Sequence, residues 1–182
     1  GLFKREWFPI VDVASEAVRR VRGWDTAGTE GGGDWTVGVR LSESVAHPGR
    51  FFVESVTRGQ WGPAAVDQVI KQAAELDGVV CAVREEREGG SAGKAVTDAR
   101  AKMLKGYDYA AVAVTGDKVT RARPFRAQCE AGNVVLLRGE WNDAWLSEVC
   151  GFPTGRHDDQ VDASSCAFNA LALEKRVEVR VW

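Results

Sequence analysis

The chain predicts an α/β fold on a mixed sheet, and three observations carry that prediction. Three strand-like runs follow one another in the first third of the chain, with turn residues between them. Beyond them, short apolar runs alternate with helical periods. The composition, 45% hydrophobic and 27% charged over 182 residues, is that of one ordinary globular domain. An antiparallel meander, then parallel crossovers with helices covering the faces, is the arrangement this order allows.

The elements follow in sequence. Residues 1–15 mix Phe3, Trp7, Phe8 and Pro9 with charges and show no periodicity, as a linker or docking arm would; residues 16–182 form the domain. A strand is expected to end near Trp24 and Asp25, before a glycine-rich turn at 28–33. Trp35, Val37, Val39 and Leu41 then alternate at period two, and a third strand, 50–57, follows the Pro48-Gly49 turn. Pro63 opens a helix as a first-turn proline would, Val66, Val69, Ile70, Ala73 and Ala74 line one face, and Gly78 closes it.

The apolar run 79–83 reads as a buried parallel strand that stops at Arg84-Glu85-Glu86. After a loop at 89–93 come a helix to about Leu104, a strand at 109–114, and a helix at 117–131 with an interruption expected before Pro124. A short strand at 134–137, a helix at 141–149 broken by Phe152-Pro153, and a last long helix at 158–175 complete the pattern.

Charge narrows the function. With 24 basic and 26 acidic residues the net charge is −2, which argues against a generic nucleic-acid coat. The distribution is uneven, because the stretch 84–126 is locally basic and the remainder is acidic. The four cysteines are too far apart for a CxxC motif and read as free thiols. No run approaches the roughly 18 apolar residues of a membrane helix, and the N-terminus has no apolar signal core, so a soluble intracellular protein is expected.

Three places put acids where folding alone does not ask for them. Asp25 closes a strand, a context that disfavours Asp, although a turn would also accommodate it. Glu85, Glu86 and Glu88 follow the buried strand, as a solvated charge run also would. In His157-Asp158-Asp159-Gln160-Val161-Asp162-Ala163, a helix N-terminus explains one acid, but Asp159 and Asp162 share a face and repel unless a cation or solvent intervenes. Asp25 and Glu86 both fall at carboxyl ends of strands that can lie side by side, where α/β sheets hold their functional groups. Carboxylates without Cys or paired His suit Mg²⁺ or Mn²⁺, and two such ions promote phosphodiester hydrolysis.

These residues bring a family into view. Arg22-Gly23-Trp24-Asp25-Thr26-Ala27 with Gly33-Asp34-Trp35-Thr36, then Arg84-Glu85-Glu86-Arg87-Glu88-Gly89-Gly90, then Gly116-Asp117-Lys118 with Arg121 and Pro124, and finally Phe152-Pro153 with the His157 motif, stand in one order along nearly the whole chain. So arranged, the chain resembles the C-terminal nuclease domain of the phage terminase large subunit, the DNA-packaging motor of tailed phages.

The resemblance implies a ribonuclease H-like fold and a DNA endonuclease dependent on two Mg²⁺ or Mn²⁺ ions. It implies that Asp25 bridges both metals, Glu86 binds one, and Asp159 completes the site, with Glu85 and Glu88 competing for the place of Glu86. Asp162 would be a further metal ligand and Asp34, Asp158 and Glu88 accessory acids; Asp34 fits a hairpin turn equally well, and His157 is either a carboxylate-orienting or a capping residue. Lys94, Lys118, Arg121 and Arg123 would hold the phosphates of double-stranded DNA.

The implied partners are the N-terminal ATPase domain of the same protein, the small subunit and the portal, in the host cell cytoplasm. The Gly-x-x-x-x-Gly-Lys-Ser/Thr pattern of the ATPase is absent here, since Lys94 is followed by Ala95, so the sequence reads as the nuclease domain with residues 1–15 as linker. A junction resolvase of the same fold class, or a non-catalytic portal-docking module, are the alternatives.

Overall fold

A computed structural model describes residues 1–27, 31 and 33–174. Among them, seven strands form one sheet in the order β1-β7-β4-β3-β2-β5-β6. The strands are β1 (Ile10–Val11), β2 (Ala17–Asp25), β3 (Thr36–Ser44), β4 (Phe51–Gly59), β5 (Cys81–Arg87), β6 (Tyr109–Ala113) and β7 (Val134–Leu137). The helices are α1 (Pro63–Asp77), α2 (Gly90–Met103), α3 (Lys118–Glu130), α4 (Asn142–Gly151) and α5 (Asp159–Leu173). β2, β3 and β4 pair antiparallel; β5 and β6 extend the sheet parallel to β2, and β7 runs parallel to β4. This is the expected meander with parallel additions.

Alternation gives the central strands two faces, with a core on each side of the sheet. Val21, Val37, Val39 and Leu41 face α5 and the aromatic cluster of Phe125, Trp145 and Phe168. Trp24 and Val83 face α1 and α2 with Val66, Ile70 and Leu104. On that second face β2 also carries Arg22, whose guanidinium donates to Asp77 at 2.6 Å from the end of α1. The unpatterned N-terminus is docked: Phe3 and Phe8 are buried against Phe125, Phe152 and Trp145, and β1 lines the edge of β7.

Three expectations are corrected. The strand expected at 79–83 starts at Cys81 and runs on through the charges to Arg87, while Val79 and Val80 are 66% and 78% exposed. The first three charges stay in the strand because they have partners: Arg84 donates to Glu174 at 2.7 Å, Glu85 is bound by Arg100, and Glu86 lies 3.4 Å from Arg121. The interruption before Pro124 is absent; α3 is continuous, because Ala122, Phe125 and Cys129 bury one face and outweigh the roughly 3 kcal/mol of an internal proline. The glycine-rich run expected as a loop at 89–93 is helical from Gly90. Most of the turn at 28–33, and Lys175 at the expected end of the last helix, lie outside the described residues.

α5 crosses β2 at Gly23. A Cβ there would lie 2.5 Å from the Ala167 backbone nitrogen and 2.6 Å from the Ala163 carbonyl oxygen, so only glycine permits this approach. The crossing brings the N-terminal turn of α5 to the end of β2.

Candidate active site

β2 and β5 run parallel with Trp24 opposite Glu85, so the next step along both strands sets Asp25 beside Glu86. Because strand side chains alternate, Trp24 and Glu85 point toward α1 and α2, and Asp25 and Glu86 point toward α5. Glu85 is 2% exposed and fully engaged: Arg100 donates to one oxygen, and the Tyr109 hydroxyl donates to the other at 2.9 Å. Glu88 lies past the strand end and is exposed. Of the three competing glutamates, Glu86 is the one beside Asp25.

The first turn of α5 supplies the other acids. Asp158 is the N-cap, and its carbonyl accepts from the Asp162 amide at 3.0 Å. Asp159 and Asp162, one turn apart, are 6% and 5% exposed. Asp159 Oδ2 accepts the Trp35 amide at 3.3 Å, which ties it to the start of β3. Asp34, His157 and Asp159 bring one ligand atom each within 4.8 Å of one another. Asp34 is thus at the site and not only in the hairpin turn.

The basic residues divide. Lys118, the first residue of α3, places its ammonium 2.7 Å from Asp158 Oδ1 and 2.9 Å from Asp162 Oδ2. Arg121, one turn on, lies 3.4 Å from Glu86 Oε1 and 3.9 Å from Asp162 Oδ1. Lys94 sits outside this cleft, exposed on α2 and paired with Asp98 at 2.6 Å, and Arg123 is exposed on α3. The structure therefore brings Lys118 and Arg121 to the carboxylates and leaves Lys94 and Arg123 apart from them.

Glu148 of α4 escaped the sequence reading. Its side chain is 7% exposed, and it accepts the Gln160 amide at 2.7 Å and Gln160 Nε2 at 2.5 Å, fastening the start of α5 from behind. Arg58, stacked 3.9 Å from the Trp35 ring centroid, reaches it at 3.7 Å. The available signal was a glutamate on the same helical face as Trp145 and Trp141, where a charge needs a partner.

Asp25, Asp34, Glu86, Asp159 and Asp162 open into one cleft of about 580 Å³ with Glu88 at its rim. Burial pushes the Asp25 carboxyl well above the ordinary range, and the charges of Asp162, Asp159 and Glu86 push it further. Burial likewise raises Glu86, Asp159 and Asp162; Arg121 opposes it at Glu86, the Trp35 amide at Asp159, and Lys118 at Asp162. Four crowded carboxylates that resist ionisation together form a site that a cation relieves. The donor set is oxygen with a single imidazole and no thiol, which fits a hard divalent ion such as Mg²⁺ or Mn²⁺.

Solved structures share this architecture. The large terminase nuclease from thermophilic phage G20c with bound magnesium superposes with a TM-score of 0.65 at 17% identity, covering 90% of this chain and 93% of its own. The Thermus phage P74-26 large terminase nuclease domain gives 0.67 at 16% identity, covering 93% and 94%. The manganese-soaked human cytomegalovirus terminase nuclease domain gives 0.56 at 12% identity, covering 85% and 82%. At such identities the likeness establishes the fold, which is the ribonuclease H-like one expected. No curated protein matches the chain significantly. Among the described residues no helix is long and apolar enough to cross a membrane. Residues 22–171, the segment that holds every carboxylate of the cleft, match the family of the terminase RNaseH-like domain, and the chain belongs to that family.

Proposed function

We propose that the chain is a Mg²⁺- or Mn²⁺-dependent DNA endonuclease domain, which cuts concatemeric phage DNA where packaging starts and ends. The observation that carries the reading is the meeting of Asp25, Glu86, Asp159 and Asp162 in one cleft, at two adjacent strand ends and one helix N-terminus, with their carboxyls raised by burial and crowding. Asp25 is central, since it feels the charges of the other three. In this reading Asp25, Glu86 and Asp159 would hold the divalent ions, with Asp162 as a further ligand. Asp34 and His157 flank Asp159. When bound, two such ions supply the Lewis acidity that activates water and stabilises the departing 3′-oxygen of a phosphodiester.

The protein's own part is to hold and orient. The Trp35 amide and the Glu148–Gln160 contacts fix the rotamer and height of Asp159. Lys118 and Arg121 present positive charge along the cleft for the phosphates of double-stranded DNA, with Lys94 and Arg123 outside it for flanking phosphates. The domain would act joined to its ATPase and together with the small subunit and portal, in the host cytoplasm.

The test is plasmid nicking in Mn²⁺ against chelator, for the wild type and Asp25→Asn. The variant is expected to lose more than about 100-fold in rate, beyond the 10–100-fold that loss of a mere outer-shell partner costs. Unchanged metal-dependent cutting by the variant removes Asp25 from the mechanism.

A further inference from the structure

Two cations from one helix enter the carboxylate cleft, and they are held differently. Arg121 has a side chain 15% exposed, donates from Nη1 to the Gly116 carbonyl at 2.8 Å and rests against Glu86. Its guanidinium is thus held between the Gly116 carbonyl and the Glu86 carboxylate. Lys118 is held through its ammonium, which bridges Asp158 and Asp162, and its side chain is 46% exposed. Its root is firm, because Asp117 caps α3 by accepting the Thr120 amide at 2.8 Å. The four-carbon stem can therefore swing without disturbing the helix.

A lysine ammonium between two carboxylates occupies the electrostatic position that a hard divalent ion seeks. Asp162, one of the two, is 5% exposed and lies among Asp25, Glu86 and Asp159. At equal distance a divalent ion gains twice the Coulomb energy of the ammonium from each carboxylate, and like charges do not share the place. Resting on the metal-site reading above, we propose that Lys118 is an exchangeable counter-ion of the centre. It neutralises Asp158 and Asp162 when no divalent ion is held, leaves Asp162 when one binds, and then offers its ammonium to a DNA phosphate in the cleft. Metal and DNA thereby favour each other's binding, since each rewards the same release of Lys118, and the coupling is reciprocal. The domain is armed for cutting only when both are present.

Mn²⁺ titration calorimetry on the wild type, Lys118→Gln, Lys71→Gln and Asp25→Asn tests this. If Lys118 closes the site nine-tenths of the time, Lys118→Gln binds Mn²⁺ about tenfold more tightly. Lys71→Gln, the same charge change on an exposed position of α1, is expected to alter the affinity less than about twofold. In the wild-type protein, acetylation of Lys118 by an amine-reactive ester, followed by mass spectrometry, is expected to quicken several-fold on saturation with Mn²⁺, with Lys94 unchanged as internal reference. Equal or weaker binding by a folded Lys118→Gln, or unchanged Lys118 labelling in Mn²⁺-bound wild type, overturns the exchange. The metal site itself then still stands if Asp25→Asn abolishes binding. Absence of Mn²⁺ binding in both the wild type and Lys118→Gln overturns the metal site and the exchange together.

Discussion

Gly23→Ala places a single methyl group where β2 meets α5. That methyl would stand 2.5 Å from Ala167 N, 2.6 Å from Ala163 O and 2.9 Å from Ala167 Cα, all of them backbone atoms that cannot rotate away. Restoring an ordinary contact of 3.4 Å requires α5 to withdraw from β2 by about 0.9 Å, because a packed interface leaves no slack. Overpacking of this kind costs about 1–3 kcal/mol, and at roughly 2–4 °C per kcal/mol the melting temperature falls by several degrees. The larger effect is geometric. Asp162 and Asp159 ride on the displaced turn while Asp25 and Glu86 stay with the sheet, and metal ligation tolerates only about 0.2 Å. Mn²⁺ affinity should fall by about 10–100-fold, as when the supports of a ligand are lost, and nicking with it.

Gly38→Ala is the control for that experiment. Its methyl would meet the Trp24 ring at 2.6 Å on the opposite face of the sheet, so it should lower the melting temperature and leave Mn²⁺ affinity within about twofold. Calorimetry with Mn²⁺, thermal melting and plasmid nicking on both variants decide the matter. A Gly23→Ala protein that binds Mn²⁺ and nicks DNA like the wild type would refute the argument that the α5 crossing sets the site.

Two further predictions concern the carboxylates. Glu85→Gln should keep Mn²⁺ affinity but lose about 3 kcal/mol of stability, the low end for breaking a buried ion pair because Arg100 retains Asp67 at 3.0 Å, whereas Glu86→Gln should keep stability and lose Mn²⁺ affinity; the opposite pattern in denaturant melts and titrations would exchange their roles. In chelator, the contribution of Asp25, Glu86, Asp159 and Asp162 to stability should fall as pH rises from about 4, because their folded-state pKa values lie above their unfolded ones. Asp77 and Glu174, held below theirs by arginines, contribute with the opposite sign, so the measurement compares the wild type with Asp25→Asn. Saturating Mn²⁺, which binds the ionised carboxylates, should raise the melting temperature more at pH 7.5 than at pH 5, and a larger rise at pH 5 would contradict the assignment.

The meander, α1 between Pro63 and Gly78, and β7 at Val134–Leu137 were legible because alternation, a first-turn proline and turn glycines all act locally. The identity of Asp25 and Asp159 as cleft residues was legible for a related reason: each marks the end of an element. The resemblance favoured Glu86, but the residues themselves did not choose among Glu85, Glu86 and Glu88, because a continuous apolar run carries no parity, and the strand in fact begins two residues later than that run. Parity is fixed instead by Arg100, Tyr109 and Glu174, which are 15 to 90 residues away in sequence. Pro124 misleads in the same way, since what keeps α3 whole is burial of Phe125 and Cys129 in the main core.

The charge balance takes a different form from the one the sequence suggested. An acidic cluster set against a separate basic stretch would leave arginines and lysines free to face DNA, but six of the ten basic residues of 84–126 already pair with acids of the domain, Arg126 with Glu130 among them. Arg84 holds Asp108 and Glu174, Arg100 holds Asp67 and Glu85, Lys94 holds Asp98, and Lys118 and Arg121 hold the cleft acids. The first two pairs are buried on the cationic side and cannot be spared, since breaking them leaves an uncompensated charge in the interior. Only pairs with an exposed partner are free to change hands, and in the cleft that partner is Lys118. A polyanion and a divalent cation arriving together then meet a site whose internal ion pair they can divide between them, the cation taking the carboxylates and the phosphate taking the ammonium. Either one alone leaves a charge unpaired, so on the proposed reading a slightly acidic domain accepts a polyanion without a generally basic face.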